Sequence, residues 1–252
     1  MKAIDSKLLN LGISVIVSFF VWLLLIFIHD NLNPTSTSGV IIRMMGGTVG
    51  GFIQIMTYVA FVFGFLELRE KSKFVSMQYY GINLNLLPKD ETTELTLKDI
   101  AEIKSSIVNL EDRGINYLVN QYMKKICTQF TNGETISDAL QIFEYQINTS
   151  KEEFEGQLEI VRYLLQAISS LGFIGTVLGL SVAIGLGNQA KTEQGMKLIT
   201  SNLNVAFDTT IVALVLGLIL TYMYHNYLEK LDMFFSHTKA YMVDNLITRL
   251  RK

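Results

Sequence analysis

Charged side chains, cysteines and prolines are all scarce in this chain of 252 residues. Only 17% of the residues are charged, whereas a soluble domain carries about 25%, which argues against an ordinary cytosolic enzyme. The single cysteine, Cys127, excludes an internal disulfide and a cluster of metal-bound thiolates. A net charge of −2 without any basic run excludes an electrostatic surface for nucleic acid.

Motifs for the common enzyme chemistries are missing as well. The sequence contains no Walker A loop, no GxGxxG after a strand, no HExxH and no nucleophile elbow. His225 and His237 have no metal-ligand spacing with other residues. We therefore predict a protein that is not an enzyme, with no catalytic residues, no metal site and no cofactor.

Hydrophobic sequence, by contrast, is abundant and makes up 50% of the chain. Roughly 20 apolar residues in a helix cross a bilayer core of about 30 Å. Four stretches reach this length, and we predict transmembrane helices over residues 8–28, 44–66, 163–188 and 202–225. The first is too long for a signal-peptide core and lacks a small-residue cleavage site, so we expect it to be retained.

Lysine and arginine are unevenly distributed among the segments that join these spans. If the N-terminus is cytoplasmic, the inner segments contain 18 of the 21 bases, and the outer loops contain only Arg43, Lys191 and Lys197. Because basic residues favour the cytoplasmic side, we predict that both termini and the region 67–162 are cytoplasmic. The outer loops are short, so any work outside the membrane would be done by another chain.

The inner region 67–162 has the periodicity of helices rather than strands. Its apolar residues recur at helical spacing: Ile100, Ile103, Ile107 and Leu110; Ile115, Leu118, Tyr122 and Ile126; Ile136, Leu140, Phe143 and Ile147. Ser150 followed by Glu153 has the form of a capping box. No helix breaker follows before Gly172, which predicts a helix of roughly 55 Å that continues into span three.

The sequence thus predicts an all-α integral membrane protein. Its parts are four transmembrane helices, a helical cytoplasmic region over 67–162, a long helix continuous with span three, and a cytoplasmic C-terminal helix over 226–252.

Small residues recur every four positions in span three. Gly175, Gly179, Ala183 and Gly187 are expected on one helix face, where they let a neighbouring backbone approach closely. This pattern indicates either tight packing within one subunit or a contact between subunits.

Polar residues inside the spans are the candidates for function. Counted from Arg162 and His225, Thr176 and Thr210 lie roughly 21–23 Å above the cytoplasmic side, so their hydroxyls share one depth. They would line a polar path or solvate a partner's carboxylate, unless each only bonds its own helix carbonyl. Asp208 is an ionisable group within a span, which indicates a function, unless it lies wetted in the outer first turns of its helix.

Two stretches resemble motifs of the MotA/TolQ/ExbB proton-channel superfamily. Residues 171–179, LGFIGTVLG, resemble the third-span motif Gly-Thr-Val-x-Gly, and residues 206–212, AFDTTIV, resemble the fourth-span motif with Thr210 at the threonine position. The four spans and the insertion of about a hundred residues resemble the layout of MotA. Unlike flagellar MotA, the spans contain no proline, since Pro34 and Pro88 lie outside them.

The resemblance implies a pentamer in the bacterial inner membrane that surrounds two copies of a single-span partner of the MotB/TolR/ExbD type. The partner would supply a proton-carrying aspartate, and the ring would supply threonines near it. Thr176 and Thr210 would then face the pore, and we include Thr209 and Asp208 as candidates along the ion path. Ion flow would turn the ring about the partner and drive work elsewhere.

We therefore predict a proton-channel subunit of a rotary membrane motor driven by proton motive force. One alternative is a sodium-driven member of the same family, in which Asp208 would help to bind the cation. Another is a non-conducting oligomeric scaffold in which the glycines serve assembly alone. A small-molecule transporter is disfavoured, because the sequence has no internal repeat with broken helices at the midplane.

Overall fold

A computed structural model describes residues 2–33, 36–47, 51–84, 86–87, 94–133 and 135–250. Both prolines lie outside these residues. Eight α-helices account for most of the described chain: α1 Lys2–Asp30, α2 Thr37–Met44, α3 Phe52–Asn83, α4 Leu97–Asp112, α5 Leu118–Thr131, α6 Ile136–Gly156, α7 Glu159–Gly185 and α8 Glu193–Asn245. The single β pairing among the described residues is an isolated bridge between Leu95 and Leu250.

Four helical segments are long and apolar enough to cross a membrane: Ser6–Asp30, Phe52–Asn83, Ile136–Gly185 and Glu193–Arg249. This confirms the predicted all-α fold with four membrane-spanning helices. The long helix expected to enter span three is also present, as the 50-residue segment Ile136–Gly185. A two-residue turn at Gln157 and Leu158 separates its two parts, α6 and α7.

A continuous helix over 44–66 was expected for span two, and the structure differs there. Helix α2 ends at Met44, and α3 begins only at Phe52. Gly46 adopts a φ of +93°, a left-handed conformation that ends helices and that glycine adopts without strain. The Tyr58 hydroxyl donates a hydrogen bond of 2.6 Å to the Met45 carbonyl oxygen, which satisfies a carbonyl at the end of α2.

The chain divides into two compact units, of which the first is the transmembrane unit, Met1–Arg69 and Glu159–His225. Helix α1 leaves bulky side chains such as Ile16 and Phe20 exposed, each 70% accessible, as expected for a helix that faces lipid. The amide of Asn10 donates a 3.0 Å hydrogen bond to the Glu67 carboxylate. That bond joins α1 to α3 and gives the buried Glu67 a partner.

The second unit, Glu70–Leu158 and Asn226–Lys252, is called the insertion unit below. Its core contains several of the predicted apolar residues of α4 and α5, including Ile100, Ile107 and Tyr122, each at most 1% exposed. Ile115, at the start of the second predicted set, lies before α5 and is exposed. In α6 the buried face is Ala139, Phe143 and Ile147, whereas Ile136 at the start of the predicted pattern is exposed. Ile136 is the first residue of α6, and the buried face starts about one turn later at Ala139.

The capping box predicted at Ser150 and Glu153 does not start a helix, because Ser150 lies inside α6. Among the described residues of this unit, capping boxes are present at Thr96 with Asp99 and at Thr135 with Asp138. The hydrogen bonds from the Thr96 side chain and backbone lower the pKa of the Asp99 carboxyl. A capping motif acts only where the preceding residues leave the helix, and the helical pattern of α6 already runs through Ser150.

Cys127 provides a direct test of the insertion unit. Its side chain is fully buried, and burial raises the pKa of the thiol from 9.0 to about 11. The higher pKa lowers the fraction of thiolate at neutral pH by about a hundredfold. The thiolate is the form that reacts. We expect iodoacetamide to label the folded chain at least about a hundredfold more slowly than the chain unfolded in urea. Equal labelling rates in the two states would contradict the buried position of Cys127.

Candidate ion pathway

Helices α7 and α8 of the transmembrane unit approach each other closely because α7 carries glycine at the contact. A Cβ atom built on Gly175 would lie 2.6 Å from the Cβ atom of Thr209, and one built on Gly179 would lie 2.7 Å from the Cβ atom of Ala206. Real Cβ atoms essentially never approach so closely. Only glycine therefore permits this distance between the two backbones.

The four small residues predicted on one face of span three have different surroundings. Gly175 and Gly179 pack against α8 within the same chain, which is the first of the two arrangements that the sequence left open. Ala183 is buried, at 5% exposure. Gly187 lies beyond the end of α7 in a short 3₁₀ turn and has no described atom within 4 Å of a Cβ built on it. It therefore takes no part in the contact within the chain.

The structure brings the hydroxyls of Thr176 and Thr210 into direct hydrogen-bond contact. Thr176 Oγ1 also lies 3.1 Å from the Ala206 carbonyl oxygen, and Thr210 Oγ1 lies 3.0 Å from the Gly172 carbonyl oxygen. Each hydroxyl thus reaches across to the opposite helix. Each also lies 3.3 Å from the carbonyl of its own preceding turn, so the bonding within one helix and the contact between helices are both present.

These two hydroxyls and two carbonyls form a cluster with more acceptors than donors. Two hydroxyl protons are available, whereas each of the four oxygen atoms can accept hydrogen bonds. Thr176 and Thr210 are half-buried rather than sealed in the core. Because a hydroxyl proton can rotate, the cluster can donate to an ionised carboxylate or accept from a protonated carboxyl group.

Thr209, the third predicted threonine, has a different environment. Its side chain is buried at 1% exposure against Gly175. Its hydroxyl donates a 3.0 Å hydrogen bond to the Ala206 carbonyl oxygen of its own helix. The Thr209 side chain therefore packs against α7, while its hydroxyl is hydrogen-bonded within α8.

Asp208 forms an ion pair with Arg43, with 3.3 Å between Asp208 Oδ2 and Arg43 Nε. The expectation that Asp208 lies in the first turns of its helix is wrong, because α8 begins at Glu193. The Asp208 side chain is buried, at 4% exposure. About four helical turns separate Asp208 from the helix start. The sequence did not reveal this partner, since Arg43 was assigned to an outer loop. The one feature of the sequence that could have indicated this ion pair is the position of Arg43, an isolated arginine directly before an uncharged stretch.

A polar cavity of about 270 Å³ lies beside this ion pair. It is lined by Arg43, Gly51, Gln54, Ser201, Asn202, Asn204, Val205 and Asp208. Gln54 is 3% exposed, and its amide oxygen has no hydrogen-bond partner among the described residues. A neighbouring cavity of about 400 Å³ shares Arg43, Ser201 and Asn204 and is also lined by Glu193, Met196, Lys197 and Thr200. The polar surface beside Asp208 is therefore continuous with more exposed polar residues near the start of α8.

Among the described residues, no three histidine, cysteine or carboxylate side chains are grouped as a metal site requires. The site is thus an arrangement of hydroxyls, carbonyls and one ion pair within apolar helices. Such groups can hold and pass an ion.

Comparison with known proteins agrees with this chemistry. The model of the MotA/TolQ/ExbB proton channel family matches residues 111–238, about half of the chain. The matched region contains all of α7, the Thr176–Thr210 contact and Asp208, whereas Arg43 and Gln54 lie outside it. No curated protein and no solved structure matches the chain.

Proposed function

Because the chain belongs to the MotA/TolQ/ExbB proton channel family, we propose that it is the ring-forming channel subunit of a rotary membrane motor. Five copies surround the transmembrane helices of two copies of a single-span partner of the MotB/TolR/ExbD type. The assembly lies in the bacterial inner membrane, with both termini and the insertion unit in the cytoplasm. Proton motive force drives it.

The observation that carries this proposal is the contact between the Thr176 and Thr210 hydroxyls, which joins two apolar helices inside the matched region. An ionised carboxylate in hydrocarbon costs several kcal/mol unless polar groups solvate it. The hydroxyls and carbonyls at this contact supply such groups at one level of the membrane. A partner aspartate can therefore be held there in either protonation state.

The proposed cycle has two steps at this contact. In its ionised form, the partner carboxylate accepts hydrogen bonds from hydroxyls that rotate away from the carbonyls of Gly172 and Ala206. After it takes up a proton from outside, the neutral carboxyl group donates to the same acceptor-rich cluster and no longer requires strong solvation. A step of the ring then exposes it to the cytoplasm, where the proton leaves.

Flux in vesicles tests this function against the scaffold alternative. The chain is reconstituted together with the single-span protein expected from the neighbouring reading frame, and a pH-sensitive dye is trapped inside. When a proton gradient is imposed, we expect acidification only if both chains are present, and the same rate in sodium-free buffer. Vesicles with either chain alone are the controls.

Each other outcome points to a different alternative. Background acidification with both chains present would contradict the proton channel. A sodium-sensitive dye under a sodium gradient then separates the remaining two alternatives, because a sodium-driven motor passes sodium and a non-conducting scaffold passes neither ion.

A further inference from the structure

The cavity beside Asp208 combines features that rarely occur together in an apolar unit. A buried carboxylate, an arginine side chain that is 34% exposed and a buried amide oxygen without a partner among the described residues all line it. Asn202, Asn204 and Ser201 contribute further oxygen and nitrogen atoms. Carboxylate, amide and hydroxyl oxygens are the ligands that hard cations prefer.

A hard cation is nevertheless not needed here, because Arg43 already supplies the positive charge. Its Nε atom lies 3.3 Å from Asp208 Oδ2. Arginine remains charged under all ordinary conditions. The pair is therefore neutral as a whole, and an added cation would have no unpaired charge to compensate.

We propose that Asp208 and Gln54 form a latent site for an alkali cation and that Arg43 acts as its built-in counter-ion, which keeps sodium out. For the channel the consequence is a preference for protons over sodium. This consequence rests on the proposed function, whereas the site itself does not. Arg43 is thereby a specificity-determining residue rather than a carrier of the ion.

The physical reason lies in what each ion needs. Sodium must exchange part of its hydration shell for several protein oxygens, and Arg43 already pairs with an oxygen of the strongest candidate ligand, the Asp208 carboxylate. A proton moves along hydrogen-bonded waters and needs no such set of ligands. At about 30 Å³ per water, a 270 Å³ cavity has room for several waters.

The test removes the built-in charge and measures binding without any flux assay. The purified full-length chain in lipid nanodiscs is unfolded by heat in sodium chloride or in N-methylglucamine chloride at equal ionic strength. The variant Arg43→Gln leaves the buried Asp208 unpaired. We expect the Tm of this variant to be at least about 3 °C higher in about 300 mM sodium chloride than in N-methylglucamine chloride. The wild-type chain should give the same Tm in both salts.

Two controls separate a specific site from general effects of charge. The double variant Arg43→Gln with Asp208→Asn has neither charge and should show no sodium effect. Lys197→Gln removes a base that lies 2.7 Å from Glu193 in an exposed pair, so it should behave as the wild type.

Three results would overturn the proposal: a folded Arg43→Gln chain that is indifferent to sodium, a sodium effect that survives in the double variant, or a sodium effect in the wild type. Should Arg43→Gln fail to fold, Arg43→His provides a side chain that is positively charged at acidic pH and neutral at alkaline pH. Sodium should then stabilise that variant only at the higher pH, and a variant without this difference would equally refute the site. Because the readout is thermal stability, absence of proton flux would count against the channel function alone.

Discussion

Replacing Thr210 with valine lowers proton flux by roughly 10- to 150-fold, if the hydroxyl pair holds the partner's carboxylate. Valine keeps the branched shape but removes the contacts of the Thr210 hydroxyl with Thr176 and with the Gly172 carbonyl oxygen. A hydrogen bond to a charged group contributes about 1.5–3 kcal/mol, and each 1.36 kcal/mol corresponds to about tenfold in rate. The measurement is the vesicle flux described above, with partner and lipid unchanged.

Thr209→Val is the matched control for this prediction. The residue is adjacent on the same helix, but its hydroxyl donates to the Ala206 carbonyl of its own helix and is buried against Gly175. We expect this variant to retain most of the flux, and Thr210→Ser to retain it as well because serine keeps the hydroxyl. If Thr210→Val conducts normally, or if Thr209→Val loses as much flux as Thr210→Val, the hydroxyl pair does not have the proposed role.

Replacing Gly175 with alanine should destabilise the transmembrane unit and stop conduction together. The added Cβ atom would lie 2.6 Å from the Thr209 Cβ atom, so α7 and α8 must separate or shift. Overpacking of this kind typically costs about 1–3 kcal/mol, which corresponds to a fall in Tm of roughly 2–12 °C for a chain of this size. Separation of the helices also breaks the contact between Thr176 and Thr210, so flux should fall to background.

Gly185→Ala provides the comparison, because it adds the same methyl group near the end of the same helix. No described atom lies within 4 Å of a Cβ built there, and alanine favours a helix over glycine. This variant should have an unchanged or slightly higher Tm and normal flux. Thermal unfolding in nanodiscs measures both variants, and equal Tm values for the two would show that Gly175 does not limit the approach of the helices.

Several features could be predicted from the sequence because they depend on local pattern. The apolar stretches around Phe20 and Ile211 are long enough to require a membrane, whatever packs beside them. The shared depth of Thr176 and Thr210 followed from the rise of a helix and two charged end points. The buried isoleucines of α4 followed from the 3.6-residue period.

Other features could not be predicted because they depend on residues far apart in the chain. Gly46 ends α2 and separates it from α3, although the stretch that contains it has no charge to mark a boundary. The pairing of Arg43 with Asp208 joins α2 to α8 across more than half of the sequence. No spacing rule links two such positions.

By itself, the sequence determined that this protein is an all-α membrane protein with two opposed threonines, since hydrophobic length and helical rise are local properties of the chain. The tertiary structure alone decided which groups those threonines contact, which helix the glycines face and which charge neutralises Asp208. The reason is physical: a hydrogen bond or an ion pair acts over about 3 Å, and only the packing of α7 on α8, and of α2 beside α8, brings such groups within that distance.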